Sequence, residues 1–279
     1  MSARITIVSA MNNRPNISRI LINTHKRLQA DVNDDIGFFV GVTEQCDIDL
    51  CEQHGVSYVI QPNDPRQKFN AALAMAYDKG YDAFLIMGDD DSISTDGFIF
   101  ARDAIESGGQ YVGFKKNYFC DLLRHKSMMH TQPYVVDKLI GAGRMLSRFA
   151  VESLTRRAVI SWRKVHLHYQ LGDEIEVSER TAEYLQGYGY AKIKERKQGA
   201  LWQPGRARGL DHDSELHLVM NGFTPIAVDD KRIHITDFKS NPQVNIWSYS
   251  ILEEKCRVVK YEDAMWFLSE EELNYIRTV

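Results

Sequence analysis

The chain has 279 residues, 44% of them hydrophobic and 26% charged, an ordinary globular composition with enough apolar material for a core that needs no disulfide staples. Its formal net charge of −4 excludes a global pull toward nucleic acid or anionic lipid, so any such contact must come from a local patch.

In chain order, "RITIVSA" (4–10) is a β-branched run, and "RPNISRILINTHKRLQA" after it carries Ile17, Ile20, Leu21 and Leu28 at helical spacing, with Pro15 where a first turn tolerates it. "DIGFFVGVT" (35–43) is a second strand, "DIDLCEQHG" a short helix ended by Gly55, and "VSYVIQ" a third strand. "RQKFNAALAMAYDKGY" is an amphipathic helix with Gly80 at its end, and "DAFLIM" a fourth strand. Strands alternating with helices imply a parallel sheet wrapped on both faces, whose ligands collect at the C-terminal strand edges. Asn12, Asn13 and Arg14 leave the first strand on that edge, and Asp89, Asp90 and Asp91 leave the fourth there.

The second half is less regular. "QYVGFKK" and "YVVDKLIG" read as strands, "GAGRMLSRFAVESLTRR" as a glycine turn opening a helix, "WRKVHLHYQL" as a strand and "DEIEVSERTAEYLQGYG" as a helix. Residues 189–209 form a basic, glycine-bearing stretch; "GLDHDSELHLVMNG" is a turn and helix, "TPIAVDD" and "RIHITD" are strands, and a tail begins near Lys239. The expected organisation is a single α/β domain over 1–238, with halves at 1–115 and 116–238, and an extension over 239–279. Cys46, Cys51, Cys120 and Cys256 show no metal-ligand spacing and read as free thiols in a reducing compartment. No apolar run approaches the roughly 20 residues of a membrane span, and the N-terminus lacks a signal-peptide layout, so a cytoplasmic protein is expected.

The aspartate triplet is the strongest local signal. Neighbouring carboxylates repel, and each raises the cost of ionising the others unless a cation or donors sit among them. A cap on the following helix, at Ser94 or Thr95, accounts for one or two acids but not for three directly after Phe84-Leu85-Ile86-Met87.

With strand, "NNRPN", helix, two strands, the helix of "KFNAALAMAYDKGYDAFL" and an acidic triplet at a strand end, the chain resembles the nucleotide-binding half of GT-A glycosyltransferases, family-2-like enzymes in particular. "GAGRM" (141–145) is similar to their glycine loop, "GLDHDSEL" (209–216) to the acidic segment opening the acceptor-side helix, and His234 in "RIHITD" to a late metal-binding histidine. The resemblance implies a GT-A, Rossmann-like mixed sheet flanked by helices, and transfer of a hexosyl or pentosyl group from a nucleotide-sugar donor to an acceptor hydroxyl. It implies Mn²⁺ or Mg²⁺ as the cofactor, since a diphosphate leaving group at neutral pH needs charge neutralisation and oxygen ligands suit hard cations. By the same resemblance Asn12, Arg14, Lys68, Asp89, Asp90, Gly141, Gly143 and Arg144 bind the donor, Asp91 and His234 hold the metal, and Asp211 is the base that takes the acceptor's proton, which suits inversion. The acidic motif admits two registers, since Gly88 can occupy its first place, and Asp90 stays a further metal candidate.

Each part also has an ordinary structural reading. "GAGRM" is a turn signal in any α/β protein, Asp211 and Asp213 suit a helix N-terminus, and a strand histidine is usually a core or edge residue. His166 and His168 share a strand face without a recognisable carboxylate partner and read as structural. Other classes fail at named positions. A calcium loop wants an acid or Asn at 93 and glycine at 94, where Ile93 and Ser94 stand. A phosphatase of the Asp-x-Asp-x-Thr kind wants its acids after the first strand. A sugar nucleotidyltransferase, the competing enzyme class, wants a glycine-rich loop where "SAMNNRPN" has none. A non-catalytic sugar-binding module would not need metal ligands, a base and a nucleotide half together. The basic stretch 191–209 is expected to be a lid over the diphosphate, or a patch for a nucleic-acid acceptor such as a hydroxylated base in viral DNA; a glycan or small molecule is the other acceptor class.

Overall fold

The computed structural model describes residues 3–131, 143–164, 170–199, 224–228, 234–239 and 256–279. The first half follows the expected alternation: β1 (Ile5–Ala10), α1 (Pro15–Val32), β2 (Gly37–Val42), α2 (Gln45–His54), β3 (Ser57–Ile60), α3 (Pro65–Asp78) and β4 (Ala83–Ile86). After it come β5 (Asp91–Ile93), α4 (Thr95–Glu106), β6 (Tyr111–Phe114), the hairpin β7 (Lys116–Asp121) and β8 (Lys126–Thr131), then β9 (Arg144–Ser147) and α5 (Arg148–Thr155). The remainder comprises β10 (Arg156–Trp162), β11 (Glu174–Ser178), α6 (Glu179–Gly187), β12 (Ala191–Gln198), β13 (Ile226–Val228), β14 (Ile235–Lys239), β15 (Arg257–Val259) and a C-terminal helix, α7 (Glu270–Ile276).

A seven-stranded sheet has the order β13-β6-β9-β4-β1-β2-β3. Its strands alternate faces as a pleat requires. Ile5, Ile7, Phe38, Val40 and Leu85 pack with the buried residues of α1, α2 and α4, while Val8, Phe39, Phe84 and Ile86 pack with those of α3 and α5. Helices on both faces explain why β1, β2 and β4 are buried along their whole lengths. Gly41 lets α3 close onto β2, since a Cβ there would lie 2.5 Å from the Lys68 backbone.

The sheet is mixed, as the GT-A resemblance implies, because β9 lies antiparallel between β4 and β6. Its four residues come from "GAGRMLS", where a turn leading straight into a helix was expected; the helix begins four residues later, capped by Ser147. Likewise, residues 174–178 are a strand ahead of α6, not its first turns. "YVVDKLIG" lies outside the described residues, as do His166, His168 and "GLDHDSELHLVMNG".

A second sheet, β15-β8-β7-β14-β5, adjoins the first, and a third, β11-β10-β12, packs α6 over Ala158, Ile160, Trp162 and Ala191. The expected boundary after residue 238 falls inside β14, which runs through Lys239. C-terminal Ala264, Met265, Leu268 and Ile276 share a core with Ile17 and Ile20 of α1. No helix among the described residues is long and apolar enough to cross a membrane.

Candidate active site

Three backbone segments converge where β1 and β4 end. The loop after β1 is bent by Asn13, which adopts a left-handed φ of 56°, a conformation asparagine tolerates better than most residues. Two buried groups brace it. The Asn13 amide donates to Asp47 Oδ2 at 2.8 Å, and the Lys68 ammonium donates to the Met11 carbonyl at 2.7 Å and to Asn63 Oδ1 at 3.1 Å. Lys68 thus holds the shape of this loop, which carries half-buried Asn12 and aims the Arg14 guanidinium at the triplet.

The triplet divides its labour. Asp89 is buried and takes Arg14 together with the Ser18 hydroxyl at 2.9 Å. Asp90 accepts from Arg14 at 3.1 Å and lies 3.3 Å from the Lys239 ammonium. Asp91 opens β5, and its Oδ2 accepts the Gly88 amide at 2.6 Å. Glycine at 88 is what permits that bend: a Cβ there would approach Asp90 Oδ1 to 2.9 Å and Asp91 Oδ2 to 3.0 Å.

β14 supplies the remaining acid. It runs antiparallel to β5 with Asp237 opposite Asp91, and directly opposed residues of a ladder share a face. Carboxylate oxygens of Asp90, Asp91 and Asp237 all lie within 4.8 Å of one another. Lys239 Nζ stands 2.5 Å from Asp237 Oδ1.

The titration behaviour follows from this crowding. Burial, reinforced by Asp90 and opposed by Arg14, pushes Asp89 up to about 6. Burial would raise Asp90 as well, but Lys239 and Arg14 together hold it below the usual carboxylate range. Asp91 is driven well above that range by burial, Asp237 and Asp90. Asp237 is pushed up to about 7 by burial and Asp90, against the pull of Lys239. Four carboxylates face two cations here, and the crowding falls on Asp91 and Asp237, whose charged forms are disfavoured until a further cation joins them. Oxygen donors, mutual proximity and excess negative charge fit a hard divalent cation.

His234 is held apart from this group. Strand alternation from Asp237 puts His234 with Thr236 on the opposite face, where the imidazole stacks on Tyr118 at 4.3 Å between centroids and meets Trp266 edge-on at 5.2 Å. Burial lowers its pKa to about 4, and its Nδ1 has no hydrogen-bond partner among the described residues. The structure does not bring His234, expected as a metal ligand, into this cluster; Asp237, three residues on in the same motif, stands there instead. The alternation was legible in "RIHITD", but which face meets the triplet depends on the pairing with β5.

Gly143 also has a structural explanation. Its φ is +69° and a Cβ would lie 2.4 Å from Ile235 Cδ1 and 3.0 Å from Phe114, so the position excludes a side chain without reference to any ligand. Arg144 pairs with Ile86 in the register of β9 against β4 and is buried at the sheet edge beside the triplet. Gly141 and Asp211 lie outside the described residues. Of the basic stretch, residues 191–198 form β12 rather than a loop. There Lys194 meets Glu174 at 3.5 Å, Lys197 meets Glu176 at 2.8 Å, and Arg196 meets Glu179 at 2.5 Å and Glu183 at 3.4 Å.

No protein-family model and no curated protein matches the chain. Among solved structures, it is similar to S. aureus TarS 1–349 in complex with UDP-GlcNAc, at 10% identity over 98% of this chain and 70% of that one, with a TM-score of 0.48. It is also similar to M. tuberculosis glucosyl-3-phosphoglycerate synthase, at 14% identity over 54% of this chain and 59% of that one, with a TM-score of 0.37. For TarS 1–349 without ligand the likeness spans about half of each chain, 53% of this one and 48% of that one.

Proposed function

We propose that this chain is a divalent-cation-dependent glycosyltransferase that uses a nucleotide-sugar donor. The observation that carries the reading is the oxygen cluster of Asp90, Asp91 and Asp237 at the C-terminal edge of β4, beside the Arg14 loop of β1. Asp90, Asp91 and Asp237 would hold Mn²⁺ or Mg²⁺, which when bound supplies the positive charge that stabilises a departing diphosphate. Arg14 keeps Asp89 and Asp90 oriented and, with Lys239, holds Asp90 in its ionised form. In this reading Asn12 and Asp89 contact the donor's nucleoside, and Gly141, Gly143 and Arg144 complete the donor site. Asp211 takes the proton of the acceptor hydroxyl, and the sugar is transferred with inversion, because a base positioned on the acceptor suits a single displacement.

Of the basic stretch, Lys194, Arg196 and Lys197 are paired with glutamates, whereas Arg206 and Arg208 lie outside the described residues. The acceptor is a hydroxyl of a glycan, a small molecule or a modified DNA base.

The test is a thermal-shift panel of UDP, GDP, dTDP and CMP sugars with Mn²⁺ or with EDTA. One nucleotide class should raise the melting temperature only with Mn²⁺, by the equivalent of about 2.7 kcal/mol at 100 times its Kd. The rise should vanish in Asp91→Asn and Asp237→Asn. No Mn²⁺-dependent shift with any donor would refute the assignment.

A further inference from the structure

Lys239 ends β14, its backbone carbonyl held by the Leu122 amide at 2.9 Å. Its side chain is 15% exposed and turned inward, with Nζ 2.5 Å from Asp237 Oδ1 and 3.3 Å from Asp90 Oδ2. Those two carboxylates are two of the three that make up the oxygen cluster. An ammonium ion-paired with the carboxylates a metal would use is a competitor for them, and it leaves Asp91 as the member without a lysine contact in the described structure. The neighbouring cation differs in kind: Arg14 pairs with Asp89 and Asp90 and touches neither Asp91 nor Asp237 in its ion pairs.

We propose that Lys239 is the resident counter-charge of the acidic cluster, and that a divalent cation enters by displacing its ammonium from Asp90 and Asp237. The proposal rests on the metal-site reading above and adds the residue that sets its affinity. A flexible four-carbon stem anchored at a strand end makes the exchange a side-chain rotation with no backbone change. The freed ammonium stays at the mouth of the site, where an anionic diphosphate would receive it. Cation and donor are thereby coupled: the donor stabilises the displaced lysine, and so tightens cation binding, and linkage makes the effect mutual. In the absence of donor the lysine holds the cluster closed, so cation affinity is low until the diphosphate arrives.

Mn²⁺ binding measured by the loss of its free-ion EPR signal tests the exchange without an activity assay. Lys239→Met should bind Mn²⁺ about tenfold or more tightly than wild type when no nucleotide is present, the scale on which an adjacent opposite charge shifts a carboxylate's affinity for a cation. The gap should narrow when UDP or another nucleoside diphosphate is added. Because the variant removes an internal ion pair, a second measurement uses the wild-type chain: acetylation of Lys239, followed by peptide mass spectrometry, should be slow in EDTA and faster with Mn²⁺. Equal Mn²⁺ affinity in both proteins, or acetylation that Mn²⁺ leaves unchanged or slows, overturns the exchange and leaves the metal site standing. Mn²⁺ bound by neither protein, with or without nucleotide, overturns the metal reading itself and the exchange with it.

Discussion

At the scale of single residues, His234 and Asp237 show how three positions along one segment, at and within the start of β14, can separate two chemistries. Asp237 faces Asp91 across the β5–β14 ladder, while His234 is sealed among Tyr118, Trp266 and Phe267. The buried imidazole has a consequence for pH. An unfolded chain takes up this proton near 6.5, the folded chain only near 4. The folded state is therefore favoured above 6.5, and that contribution is lost as pH falls from 6.5 through 4, on the order of 3 kcal/mol in all. His234→Phe keeps the stack on Tyr118 and should flatten this part of the acid limb relative to wild type in urea titrations at a series of pH values. It should leave Mn²⁺ binding unchanged; a variant that keeps the wild-type acid limb and loses Mn²⁺ would return His234 to the metal site.

At the scale of elements, the contact between β2 and α3 positions the loop from Met11 to Arg14. Lys68 reaches the Met11 carbonyl only because Gly41 admits the α3 backbone to the sheet. Gly41→Ala pushes a methyl to within 2.5 Å of the Lys68 Cα and carbonyl oxygen. Backbone cannot rotate away as a side-chain tip would, so the expected cost is about 1–3 kcal/mol, read as a lower urea midpoint at unchanged m-value. The periodicity of α3 was plain in the sequence. Its close approach was not, since a glycine inside a strand signals a near neighbour without naming it.

Across the whole molecule, the C-terminal segment is tied into the first half rather than appended to it. Arg27 of α1 donates to both Glu272 oxygens, at 2.9 and 3.2 Å, and to the Ile93 carbonyl at 2.7 Å. Glu272 also closes the capping box of α7 with Ser269. This pair is buried, with side-chain exposures of 8% and 5%, and removing one partner strands the other charge away from water. Glu272→Ala should therefore destabilise the fold by about 3 kcal/mol, whereas the double change Arg27→Met with Glu272→Leu should recover part of that loss in the same denaturation assay. Additive losses in the double variant would show that the two side chains do not act as a pair.

The sequence by itself determined the elements whose signals are local. Apolar alternation and helical spacing placed β1 through β4 and α1 through α3, Ser94 and Thr95 announced a cap that the structure assigns to Ser94, and the aspartate triplet announced a need for positive charge. Only the tertiary structure decided how distant segments meet. It slid β9 between β4 and β6, brought Asp237 and Lys239 to the triplet from about 150 residues away, and turned His234 to the other face. It also paired the cations of β12 with glutamates that sequence inspection had assigned to a helix. The physical reason is common to all four. A side chain's periodicity states that it has two faces, but strand pairing over long separations chooses which face meets which partner, and no local pattern encodes that choice.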